Sequence, residues 1–121
     1  MKRCLFVDDE QLLVELLQIG FQCAGIPALS ATSGKQALEL CKQYGSEISV
    51  VISDITMPNM TGWELIKEIR QINPAARLVV LTASYDENPP EGLVVDKIFR
   101  KGSFESKDLV QSVKGLLDKG V

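Results

Sequence analysis

The chain has 121 residues, 45% hydrophobic and 24% charged, with a net charge of -3, which bounds it to one domain able to bury a core without staples. Its 13 Lys and Arg residues are scattered rather than clustered, which argues against a nucleic-acid surface. No stretch approaches the ~18–20 apolar residues that span a bilayer, and Met1-Lys2-Arg3 leads into a run too short for a signal peptide, so a cytoplasmic location is expected.

In chain order, residues 3–7 read as a strand that ends at Asp8-Asp9-Glu10. Gln11 to Ala24 reads as a helix with Leu13, Leu16, Leu17, Gly20 and Ala24 at helical spacing, Gly20 marking close packing on a sheet and Gly25 ending the helix. Ile26-Pro27-Ala28-Leu29 predicts a short strand, placed at an edge or a strand start by its proline. Ser33, with Gln36 three residues on, predicts a capped helix that buries Ala37, Leu38, Cys41 and Tyr44 and closes at Gly45. Ile48 to Ser53 is a β-branched run suited to a buried parallel strand, cut off by Asp54 and a loop punctuated by Met57-Pro58 and Gly62.

A helix beginning at Thr61 or Gly62 follows, with Trp63, Ile66, Ile69 and Ile72 among its apolar positions and Asn73-Pro74 as its stop. Arg77 to Leu81 is the next strand. The segment from Ser84 to Val95 has consecutive prolines and few helix formers, so the helix expected there is short or irregular, limited to about Glu91–Val95. Ile98 to Arg100 is the last strand, and a final helix from about Ser106 to Lys119 buries Leu109, Val113, Leu116 and Leu117. Alternating strands and helices without hairpin signals predict an α/β, flavodoxin-like doubly wound sheet of five parallel strands, order 2-1-3-4-5, covered on both faces. Cys4, Cys23 and Cys41 have neither an even count nor metal-ligand spacing, and the chain has no His, so all three read as buried free thiols.

Ligands of open α/β sheets bind at the carboxyl ends of the strands. Here those ends carry Asp8 and Asp9, Asp54, Thr82 and Lys101, so carboxylates, a hydroxyl and an ammonium converge on one crevice.

With these residues in this order, the chain resembles a response-regulator receiver domain of two-component signalling, over its whole length. The resemblance implies that Asp54 is the phospho-acceptor, that Thr82 meets the phosphoryl group and that Lys101 forms a salt bridge to it. It also implies a Mg²⁺ site, with Mn²⁺ as a substitute: Asp9, Asp54 and the backbone carbonyl of Thr56 ligate directly, and Asp8 acts largely through water. The chemistry is consistent, because clustered carboxylates repel one another until a hard cation with oxygen ligands neutralises them. The implied donor is a sensor histidine kinase or a histidine phosphotransfer protein, and the implied recipient a downstream protein or an output domain. Residues 1–121 are expected to be a single receiver domain with no output domain, although a segment cut from a longer protein would look identical. Its own chemistry is limited to self-catalysed phosphotransfer and autodephosphorylation.

Two positions depart from the family's pattern. Ile98 replaces the usual aromatic three residues before the lysine, with Phe99 on the opposite face, and Gly102 replaces the usual proline after it. Both changes direct attention to segment 84–95 as the route by which the signal leaves. Three other functions compete. A constitutive interaction domain would keep the fold without the switch. An aspartyl-nucleophile phosphatase would want a second carboxylate where Asp54-Ile55-Thr56 has none, and a flavin module would want a phosphate loop where Asp8-Asp9-Glu10 would repel phosphate.

Overall fold

The computed structural model describes residues 3–55, 62–82, 90–93, 95–100 and 106–119. Its strands are β1 (Arg3–Val7), β2 (Ala28–Ala31), β3 (Ile48–Asp54), β4 (Arg77–Thr82) and β5 (Lys97–Arg100). They form one parallel sheet in the order β2-β1-β3-β4-β5, as the alternating pattern requires. The helices among the described residues are α1 (Gln11–Cys23), α2 (Gly34–Tyr44), α3 (Gly62–Ile72) and α4 (Ser106–Lys119), with a 3-10 turn at Gly45–Glu47.

Strand periodicity divides the core in two. On one face, Leu5, Val7, Val51, Leu78 and Val80 meet Ala37 and Cys41 of α2 and Leu65, Ile66 and Ile69 of α3. On the other, Cys4, Phe6, Ile52, Val79 and Leu81 meet Val14 and Phe21 of α1 and Leu109, Val113 and Leu116 of α4. Ile98 packs with the first cluster and Phe99 with the second, the opposite directions expected of neighbouring strand residues. Being central, β3 is buried along nearly its whole length, which is why Val50, Val51 and Ile52 follow one another without the polar alternation of a half-exposed strand.

Local signals account for most boundaries. The Ser33 hydroxyl accepts the Gln36 N–H at 3.1 Å, and the Gln36 side chain reaches back to the Thr32 N–H at 2.9 Å. Gly25 and Gly45 take positive φ, 83° and 54°, where the chain leaves α1 and α2. At the amino edge of the sheet, buried Asn73 donates from Nδ2 to the carbonyls of Gly45 and Ile48, both at 2.9 Å, tying the end of α3 to the start of β3.

Four expectations need correction. The buried face of α1 is Val14 and Phe21 with Leu17 beside them, whereas Leu16 is 59% exposed and Gly20 is exposed with nothing near the position of a Cβ. α1 is apolar almost all round, so spacing alone does not choose its face; the Phe6–Phe21 edge contact, with ring centres 4.6 Å apart, does. β2 begins at Ala28 rather than Ile26, because the Ile26 N–H is bonded to Phe21 O and Pro27 has no N–H. In α3 the core takes Leu65, and Ile72 is exposed.

Cys23 is exposed, unlike Cys4 and Cys41, because it lies away from the Val14–Phe21 face. Residues 90–93 form a turn closed by Leu93 N–H to Pro90 O at 3.0 Å, not a helix over Glu91–Val95. Gly92 at φ 85° is incompatible with a continuing helix. Residue 94 of that expected helix, and residues 83–89 of the segment before it, lie outside the described residues.

Candidate functional site

The parallel register carries three acids to the carboxyl edge. β1 pairs with β3 through Val7 and Ser53, so the next residues outward are Asp8 and Asp54. Their carboxylates and that of Asp9 lie within 4.8 Å of one another. Asp8 and Asp54 are buried, at 2% and 6% exposure, and Asp9 faces solvent. Asp8 is fixed by its own turn: Oδ1 accepts the Glu10 N–H at 3.0 Å just before α1 starts.

Thr82, buried, ends β4 one residue beyond Leu81, the register partner of Asp54. β5 ends at Arg100, which pairs with Thr82. Lys101, the next residue, lies outside the described residues, as do Thr56, Met57, Pro58 and Gly102. Trp63 is half-buried against the α2–α3 core.

The donor set fits a hard divalent cation. All three groups offer carboxylate oxygen, and ligands of one octahedral Mg²⁺ stand ~3 Å apart when adjacent and ~4 Å apart when opposite, close to the observed spread. A set slightly wider than that suits two direct ligands and a third acting through water.

Two features were not read from the sequence. Ser53 is fully buried and its Oγ donates to the Asp54 carbonyl at 2.9 Å; the signal was a hydroxyl placed between the run Val50-Val51-Ile52 and Asp54. The second is an exposed apolar stripe on α1, Leu12, Leu16 and Ile19, starting three residues past Asp9. Its i, i+4, i+7 spacing was visible, but its exposure was not.

An open parallel sheet with helices on both faces and three acids gathered at its carboxyl edge defines the class, a flavodoxin-like fold. Residues 4–98 match the response regulator receiver domain family, and the chain belongs to it. It is similar to the response regulator SaeR of Staphylococcus aureus, 30% identical over 122 residues, covering 98% of this chain and 52% of that protein. The chain thus spans about half the length of the curated relatives it matches. Among solved structures it resembles the response regulator TrrA of Thermotoga maritima in complex with Mg²⁺-BeF, with 35% identity, TM-score 0.79, and coverage of 96% of this chain and 99% of that one. A complex of TrrA with the histidine kinase ThkA matches at 36% identity and TM-score 0.81, covering 97% and 99%. The chemotaxis protein CheY4 of Vibrio cholerae matches at 26% identity and TM-score 0.81, covering 96% and 98%.

Proposed function

We propose that this receiver domain takes a phosphoryl group from phosphohistidine onto Asp54 in a Mg²⁺-dependent step, and that the modification switches a protein–protein interaction. The carrying observation is the Asp8–Asp9–Asp54 cluster within 4.8 Å at the carboxyl edge of the sheet. An Asp54 carboxylate oxygen forms the new P–O bond as the P–N bond of the donor breaks, and the imidazole nitrogen leaves with the electron pair. The ionised carboxylate is already a nucleophile and needs no general base. Because the chain has no His, this domain cannot be its own phosphohistidine donor.

Asp8, Asp9 and Asp54, with the Thr56 carbonyl, would hold Mg²⁺, which when bound supplies charge neutralisation at the phosphoryl oxygens. Asp8 is oriented by the Glu10 N–H, and exposed Asp9 completes the set from the solvent side. Thr82 offers a buried hydroxyl one strand away, and Lys101 offers a point charge for an oxygen present only after phosphorylation.

A sensor histidine kinase or histidine phosphotransfer protein is the proposed donor, supported by the solved complex of TrrA with a kinase. The exposed Leu12–Leu16–Ile19 stripe beside the crevice suits docking of an apolar partner surface. The recipient is a downstream protein or an output domain, in keeping with the length of SaeR. No helix among the described residues is long and apolar enough to cross a membrane, and the cytoplasm is the proposed location.

Intact-mass measurement after acetyl phosphate and Mg²⁺ tests the reading. One phosphoryl group is expected on the wild type and none on Asp54→Ala; a mass shift that persists in Asp54→Ala refutes the assignment. Asp9→Ala is expected to weaken cation binding, followed by Trp63 fluorescence, more than Asp8→Ala does. A wild type that remains unmodified favours the constitutive-interaction function.

A further inference from the structure

The peptide unit that follows Asp54 is held at both polar atoms and against one side. Its carbonyl oxygen, Asp54 O, accepts the fully buried Ser53 hydroxyl at 2.9 Å. Its N–H, that of Ile55, donates to Leu81 O of β4 at 3.2 Å. Gly62, the first residue of α3, lies against it, and the Gly62 N–H donates to Ile55 O.

No side chain fits at residue 62. A Cβ built there would stand 2.9 Å from Asp54 C and would overlap Asp54 O and Ile55 Cα, all backbone atoms that no rotamer change can move aside. The hydroxyl of Ser53 is equally specific, since it is fully buried at the end of the run Val50-Val51-Ile52, where a donor has to find an acceptor. From these contacts we infer that Ser53 and Gly62 are positioning residues for the phospho-acceptor, locking the Asp54–Ile55 peptide so that the Asp54 carboxylate stays beside Asp8 and Asp9. The inference rests on the reading of Asp54 as the acceptor. Pinning the backbone at the reacting residue matters because displacement of a nucleophile by about 1 Å can cost up to ~100-fold in rate.

The experiment measures phosphorylation by acetyl phosphate at saturating Mg²⁺ in the wild type, Ser53→Ala, Ser53→Thr, Gly62→Ala and Gly20→Ala, with the melting temperature of each. Donor concentration is varied so that the maximal rate is separated from the apparent donor affinity, and rates are normalised to folded protein. Ser53→Ala is expected to lose about tenfold in maximal rate at unchanged donor affinity, and Ser53→Thr, which keeps the hydroxyl, to recover most of it. Gly62→Ala is expected to be slower still. Gly20→Ala, at an exposed site with open space around it, reacts as the wild type does.

A Ser53→Ala protein that melts lower yet reacts at the wild-type rate overturns the inference, because the bond would then serve stability alone. A Ser53→Thr protein as slow as Ser53→Ala also overturns it, since the hydroxyl would not be the cause. If Gly62→Ala does not fold, the two Ser53 variants still decide the matter. A wild type that takes no phosphoryl group at Asp54 refutes the functional reading, and the inference falls with it; normal Asp54 labelling with indifferent Ser53 variants refutes the inference alone.

Discussion

Three carboxylates within 4.8 Å make the cation-free domain less stable than it would be with one fewer charge, and Asp9→Asn measures by how much. Asp9 is the informative choice because it is exposed, so the near-isosteric amide removes charge without leaving a cavity. Each pair at 4.8 Å repels by ~0.9 kcal/mol at the dielectric of water and by more near the buried Asp8 and Asp54. Removing Asp9's charge relieves two such pairs, about 2 kcal/mol before screening by salt, or a melting temperature higher by up to about 8 °C for a domain of this size. The assay is thermal unfolding with chelator, then with Mg²⁺. Wild type is expected to gain about 2.7 kcal/mol when the cation reaches a hundredfold excess over its Kd, and Asp9→Asn far less, so the order of stabilities reverses on adding metal. At ~1 M salt, where the screening length falls to ~3 Å, the cation-free difference shrinks. An Asp9→Asn domain that is less stable than wild type in chelator, or that gains equally from Mg²⁺, refutes the reasoning.

Asn73→Ala removes one buried and one part-buried hydrogen bond at the edge opposite the site, and a loss of about 2–3 kcal/mol is expected in denaturant titration. Asp54 stands six residues along β3 from Ile48, ~20 Å away, so acetyl phosphate labelling of the folded variant should be unchanged; altered labelling would contradict this separation. Leu16→Glu, on the exposed α1 stripe, is expected to slow transfer from a phosphorylated histidine kinase by about tenfold or more while leaving acetyl phosphate labelling intact, and equal transfer would remove that stripe from the docking surface. Burial pushes the Cys4 thiol up from 9.0 to about 12 and that of Cys41 to about 11, so alkylation of the native protein at pH 8 should be confined to Cys23. Because the folded-state values are raised, the stability these thiols contribute is complete below pH 9 and is lost as pH rises from 9 towards 12. Denaturant midpoints that rise across that window would contradict the sign.

Much of the fold and part of the site could be read from residues alone. The β-branched run ending at Asp54, the acids after Val7 and the glycines that close α1 and α2 report local conformational preference, which acts wherever the chain lies. Hence the element order, the parallel sheet and the strand-end placement of Asp8, Asp9, Asp54 and Thr82 were all determined by sequence. Tertiary structure decided the matters on which several local solutions have nearly equal energy. α1 is apolar on most of its circumference, so only the sheet, through Phe6 and Phe21, could choose Val14 over Leu16 for burial and leave Leu12, Leu16 and Ile19 outside. Cys23 followed the same rotation to the surface. The lock on the Asp54–Ile55 peptide likewise joins Ser53, Leu81 and Gly62 from three separate elements, and a hydroxyl in an apolar run shows its purpose only when its acceptor is in place. Local preference sets where each strand stops, whereas long-range packing sets which way each face turns and which atoms meet at the edge.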